Sequence, residues 1–175
     1  LFAAAILVRV DAIVSIAPIA LYLLLKNKRN AIIPIAIAAI ALLTVFYFQK
    51  IYFGDFLPAT YYQKMTGFTA LERIRHGLLV FVEFATHDTL PLFLFSLAGI
   101  FFYKFQRSRE ALLLLSIFLA QCAYSIYVGG DYAEPETNAA NRFIPQGMPA
   151  LIVLFSWMTS RILTDLKTAQ TQSTF

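Results

Sequence analysis

Charge is what this chain has least of. Asp, Glu, Lys and Arg make up 14% of its 175 residues, while 59% are hydrophobic; a soluble domain carries roughly a quarter charged residues. That imbalance excludes an ordinary water-soluble domain and predicts an all-α integral membrane protein. The net charge of +4 does not point to nucleic acid, because the basic residues sit in small clusters beside apolar runs rather than along one face. The one cysteine, Cys122, lies inside an apolar run, which excludes an internal disulfide and reads as a small packed residue. There are only two histidines. Glu83 and His87 share a helical face with Asp88 adjacent, but without a second ligand cluster this reads as a polar face rather than a metal site, and no cofactor is expected. Absent too are a glycine-rich phosphate loop, a Ser-His-Asp order, internal repeats and low-complexity segments. No basic region and small-residue cleavage site marks a signal peptide. Leu1–Val8 reads as the end of a helix already under way, so the chain is expected to be the C-terminal part of a larger polytopic protein.

What is present in quantity is apolar and aromatic sequence, including seventeen Phe and nine Tyr. A spanning helix needs about 20 mostly apolar residues to cross roughly 30 Å of hydrocarbon. Runs at 12–25, 31–48, 90–103, 111–128 and 148–163 predict about five spans in one transmembrane domain, 1–175. Outer loops are expected at 49–89 and 129–147. Lys26-Asn-Lys-Arg-Asn30, Lys104-Phe-Gln-Arg-Ser-Arg109 and the flank with Arg161 and Lys167 place three junctions on the cytoplasmic side by the positive-inside rule. Lys50, Lys64, Arg73 and Arg75 in the first outer segment run against that rule. Within it, 68–86 alternates apolar residues with Glu72, Arg73, Arg75, His76 and Glu83, the pattern of a helix lying along the interface. Pro18, Pro34, Pro91 and Pro149 are tolerable in or at the start of membrane helices.

Two polar islands stand where apolar runs end, and in a chain committed to lipid that is where chemistry has room. The first is Tyr52-Phe-Gly-Asp-Phe-Leu-Pro58, continuing through Thr60, Tyr61, Tyr62 and Lys64. Gly54-Asp55 alone is explained by a turn; the surrounding hydroxyls and ammonium also suit a sugar and a phosphate. The second is Gly129-Gly-Asp131, with Arg142 six residues before the last span. Gly129 reads equally as a left-handed helix cap. Arg142 suits two phosphate oxygens, or a salt bridge with Asp131, Glu134 or Glu136. At the start of the first complete span, Asp11 reads as a helix N-cap. On one continuous helix, Arg9 and Asp11, two apart, would not face one another.

The run Tyr52-Phe-Gly-Asp-Phe-Leu-Pro-Ala-Thr-Tyr-Tyr-Gln-Lys64, with Arg9-Val-Asp11 upstream and Tyr127-Val-Gly-Gly-Asp131 and Arg142-Phe-Ile-Pro145 downstream, resembles bacterial GT-C type polytopic glycosyltransferases. The nearest group is the terminal arabinofuranosyltransferase-like family, whose members often read Tyr-Gly-x-x-x-Pro-Asn-Thr with a following Lys, and Val-Gly-Gly-Asp-Phe with a following Arg-x-x-x-Pro. Ala59 stands where that family often has Asn, and the spacer from Asp131 to Arg142 is longer. The resemblance implies a multi-pass protein of the cytoplasmic (inner) membrane with its active face extracytoplasmic. It would move a sugar from a polyprenyl-phosphate donor to a cell-envelope glycan or lipid acceptor. It also implies that the main catalytic acid lies upstream of Leu1, leaving Asp55 and Asp131 as weaker catalytic candidates. Substrate-binding candidates are Arg9, Tyr52, Asp55, Tyr61, Lys64, Asp131 and Arg142. Lys64, Arg142 and Arg9 would face the departing phosphate, and a carboxylate would help deprotonate the acceptor hydroxyl. The alternatives are a transporter or flippase module, which would place ionisable groups at mid-membrane depth, and a non-catalytic membrane subunit.

Overall fold

In the computed structural model, the described residues are 1–58, 61–62, 66–67, 69–86, 91–92, 94–96, 98, 108–130 and 143–173. Every regular element among them is helical. They include α1 (Phe2–Val8), α2 (Ile13–Lys26), α3 (Lys28–Phe53), α4 (Ala70–Phe84), α5 (Arg109–Val128) and α6 (Met148–Ser173), with short 3-10 turns at Val10–Ala12 and Ile144–Gln146.

The expected loop at 26–30 narrows to a single residue. Asn27 alone leaves the helical region (φ −156°, ψ 94°), and its side chain accepts from the Asn30 N–H at 3.3 Å. That cap satisfies one orphan donor, so Lys28 and Arg29 belong to the first turn of α3. At its other end α3 runs past residue 48 to Phe53, taking Tyr52 into the helix.

Side-chain contacts set the helix directions. Tyr22 near the end of α2 donates to Glu110 Oε1 at the start of α5 (3.0 Å), and Gln121 Nε2 on α5 donates to Ser15 Oγ on α2 (2.6 Å). The two therefore run antiparallel, and α3, returning from α2, runs parallel to α5. Leu154 and Met158 of α6 pack on Ala111, while Met148 packs beside Phe118 and Cys122, so α6 returns antiparallel to α5. Among the described residues, three apolar clusters hold the bundle: Ile6, Ile16, Ala38 and Ala41; Phe84, Phe118, Cys122, Ile144 and Leu151; and Ala111, Leu154 and Met158. Cys122 is buried and free. The basic residues Lys26, Lys28, Arg29, Arg109 and Arg161 fall at or toward one end, as the charge pattern predicts.

Among the described residues, two helices, α3 and α5, are long and apolar enough to cross a membrane. Only 17% of the most apolar stretch of α3, and 33% of that of α5, is buried inside the bundle, unlike the mostly buried core helix of a soluble protein. Ile32, Ile33, Ile37, Ile40, Leu43, Phe48 and Ile51 are all exposed on α3. Burying one such side chain from water is worth about 1.5–3 kcal/mol, so this face calls for an apolar surrounding. Of the other expected spans, 12–25 forms the 14-residue α2, about 21 Å at about 1.5 Å per residue. α6 has the length but carries Arg161, Asp165 and Lys167 in its second half. Most of 90–103 lies outside the described residues. Among the described residues, two of the five expected spans thus meet the length and composition needed.

Candidate functional site

Because α3 and α5 are parallel, their two glycine ends lie at the same end of the bundle, opposite the basic junctions. Both are left-handed caps: Gly54 has φ 82° and Gly129 φ 93°. After α5 the Gly129 N–H donates to Ile126 O and Ser125 O (both 3.1 Å), and the Gly130 N–H reaches Ser125 O (2.9 Å). This is the paired bonding of a Schellman motif. Gly130 is also left-handed (φ 69°), so the chain turns sharply just before Asp131.

α4 covers this turn. It starts with a reciprocal capping box: Thr69 Oγ1 accepts from the Glu72 N–H (3.3 Å), and Glu72 Oε2 accepts from the Thr69 N–H (2.8 Å). These bonds hold the Glu72 carboxyl below its ordinary range. From there the helix runs antiparallel along α5, with Phe84 reaching Phe118 and Cys122. Gly77 makes the close approach possible, since a Cβ there would lie 2.5 Å from the Ile126 carbonyl oxygen. His76 Nδ1 lies 2.8 Å from Gly129 O. Arg73 sets its guanidinium over the Tyr127 ring, with Cζ 5.6 Å from the centroid. Its Nε and Nη1 are buried with no hydrogen-bond partner among the described residues. The Tyr127 hydroxyl lies 3.2 Å from that of Tyr61. That bond, with lesser help from burial, raises the pKa of Tyr61.

Arg9 and Asp11 complete the same end. The chain is extended at Arg9 (φ −147°, ψ 120°) between α1 and the 3-10 turn. Arg9 Nε donates to Asp11 Oδ1 at 2.9 Å and Nη2 to Oδ2 at 2.5 Å. This corrects the expectation that the two would not meet: the helix breaks between them, so helical spacing does not apply. The proposed N-cap fails as well, because α2 begins at Ile13, its N-cap position falls on Ala12 with no side-chain cap, and the Asp11 carboxylate is turned to Arg9 instead. The pairing raises the pKa of Arg9 and occupies both oxygens of the Asp11 carboxylate. Tyr124 lies within electrostatic reach of this pair and of Tyr127, and packs edge-on against Phe143 at 5.3 Å.

The structure thus gathers Arg9 and Tyr61 with Tyr124, Tyr127 and Arg73. Tyr52 and Asp55 do not join them through any described contact. Tyr52 stacks on Phe48 at 5.6 Å and is 71% exposed. Asp55 is exposed in a turn, and the neighbouring Gly54 carbonyl is held by Lys50 Nζ at 2.7 Å. Lys64, Asp131 and Arg142 lie outside the described residues, although Gly130 and Phe143 bring the chain to this end on either side of 131–142. His87 and Asp88 also lie outside them, and no potential metal-ligand cluster occurs among the described residues.

Arg73, His76 and Tyr127 were not among the predicted site residues. A signal was available: Arg73, Gly77, Val80 and Phe84 recur at helical spacing, and a glycine inside that stripe marks a packed face rather than a lipid-facing one. Chemically, the assembly offers a guanidinium with free donors beside phenol hydroxyls, a setting for an oxyanion and for hydroxyl-rich groups. No protein-family model matches the chain, and neither does any curated protein or solved structure.

Proposed function

We propose that the chain is part of a GT-C type membrane glycosyltransferase, similar to the terminal arabinofuranosyltransferase-like group. It would move a sugar from a polyprenyl-phosphate donor to a cell-envelope glycan or lipid acceptor on the extracytoplasmic side of the inner membrane. The observation that carries this reading is the convergence of Arg9, Arg73, Tyr61, Tyr124 and Tyr127 at one end of an apolar bundle, away from the basic junctions. A lipid-linked donor presents its phosphate at the membrane boundary, where cations would stabilise the charge that develops on the leaving group. The phenols would engage sugar hydroxyls. Lys64 and Arg142 are the phosphate ligands drawn from the loops, whereas Arg9 is already occupied by Asp11. Asp55 and Asp131 would orient the acceptor hydroxyl. The amphipathic α4, descending along α5, would border the substrate at the interface. The low charge of the spans favours this reading over a translocation path, which needs ionisable groups at mid-depth.

The test is sugar transfer by the full-length protein reconstituted in lipid. Lys64→Ala and Arg142→Ala should each reduce use of the polyprenyl-phosphate sugar by about tenfold or more, the scale of losing one charge-assisted hydrogen bond. Wild-type transfer rates in both variants would remove the assignment.

A further inference from the structure

Arg73 belongs to that convergence, but the proposed chemistry has given it no contact of its own. It stands in the first turns of α4, where a side chain on a membrane-associated helix would ordinarily reach for water. Instead its guanidinium is folded back over Tyr127, and Nε and Nη1 are buried without an acceptor among the described residues. Buried donors are nearly always satisfied, and an unsatisfied one in a native fold calls for a reason such as a missing ion or a catalytic role. The placement is also enforced. Gly77 seats α4 directly on the Ile126 backbone, and the Gly129 backbone and His76 close the same face one turn away. A residue tolerated only by accident would sit on a helix free to rotate, which this one is not.

We infer that Arg73 is an anion-binding residue whose buried N–H groups receive the phosphate oxygens of a lipid-linked headgroup. The Tyr127 ring holds the guanidinium in place by cation–π contact, and the Tyr61–Tyr127 hydroxyl pair borders the same position. Arginine suits this role because it keeps its charge when desolvated and offers several donors in a fixed plane. The inference rests on the glycosyltransferase reading only for the lipid source of the phosphate; the oxyanion chemistry stands on the geometry alone.

The experiment is equilibrium binding, with no sugar and no transfer, to the full-length protein in nanodiscs. The probes are a short-chain isoprenyl monophosphate, the matching isoprenol and inorganic phosphate. Arg73→Gln should weaken the isoprenyl monophosphate by about ten- to a hundredfold and leave isoprenol binding unchanged, while Arg73→Lys recovers part of the loss. Unchanged isoprenyl monophosphate binding in Arg73→Gln would overturn the inference. So would a parallel loss of isoprenol binding, or failure of both variants to form the helical bundle, because either marks a structural role. Inorganic phosphate binding as tightly as the isoprenyl form would keep the oxyanion site but refute the lipid as its source. Phosphate-selective binding without any sugar transfer would sink the glycosyltransferase reading and spare this one.

Discussion

The turns after α3 and α5 begin alike and end differently. Each follows a long apolar helix, each is opened by a left-handed glycine, and each is followed by an aspartate within two residues. Around Gly54 nothing lies within 4 Å of where a Cβ would be, whereas Gly129 meets the Arg73 backbone and Cβ at 3.3–3.5 Å, and Gly130 meets Val80 at 3.2–3.3 Å. One turn is open and the other is roofed by α4. The same local signal therefore yields an exposed Asp55 in one place and a built, partly buried set of side chains in the other. What separates them is the neighbour, and the neighbour is seated by Gly77.

Gly77 is accordingly where the contrast should break most completely. Gly77→Ala drives a methyl into the Ile126 carbonyl and should cost about 3 kcal/mol, the upper range for overpacking. Denaturant unfolding in detergent micelles measures it, and loss of the Arg73–Tyr127 contact should accompany it. Next comes the pair of caps. Gly129→Ala should cost about 2 kcal/mol, from left-handed strain plus the tight Arg73 contact, and Gly54→Ala about 1 kcal/mol from strain alone. Equal losses at the two positions would mean that α4 does not weigh on the second turn. Thr69→Ala should remove about 1 kcal/mol by opening the capping box that starts α4. Smaller still, Tyr127→Phe should cost about 0.5–1 kcal/mol for the hydroxyl pair with Tyr61, with no effect on the Gly54 turn.

Acidification sharpens the same contrast. The folded-state pKa of Glu72 lies below its unfolded value because of its bonds to Thr69. Its contribution is therefore present above the ordinary carboxylate range and is lost as pH falls through the folded value. Protease susceptibility near α4 should rise on acidification in the wild type. In Glu72→Gln that rise should flatten, while the Gly54 turn is unaffected in both.

Much of the architecture was legible before any coordinates. The apolar runs at 31–48 and 111–128 became α3 and α5, and the basic junctions gathered at one end. Glycine at 54 and 129 capped helices because only a residue without a Cβ takes φ near +90° cheaply. Thr69 and Glu72 carried the capping-box spacing. Other features were out of reach. The Arg9–Asp11 pair depends on an extended residue between α1 and α2 that no glycine or proline announces. The path of α4 down α5, rather than a course read from its amphipathic pattern alone, depends on which helix Gly77 meets.

Sequence alone settled that this polypeptide is helical and apolar, that glycine ends the helices before residues 54 and 129, and that its short junctions are basic, because hydropathy, capping and glycine act over a few neighbouring residues. Tertiary structure alone decided that the Arg73 guanidinium lies over Tyr127 with Nε and Nη1 buried, that Tyr61 meets Tyr127 across 66 positions, and that one glycine turn is roofed while its twin is open. Those outcomes turn on close approach between segments distant in the chain, and close approach is a property of surfaces in contact, which no local pattern of residues encodes.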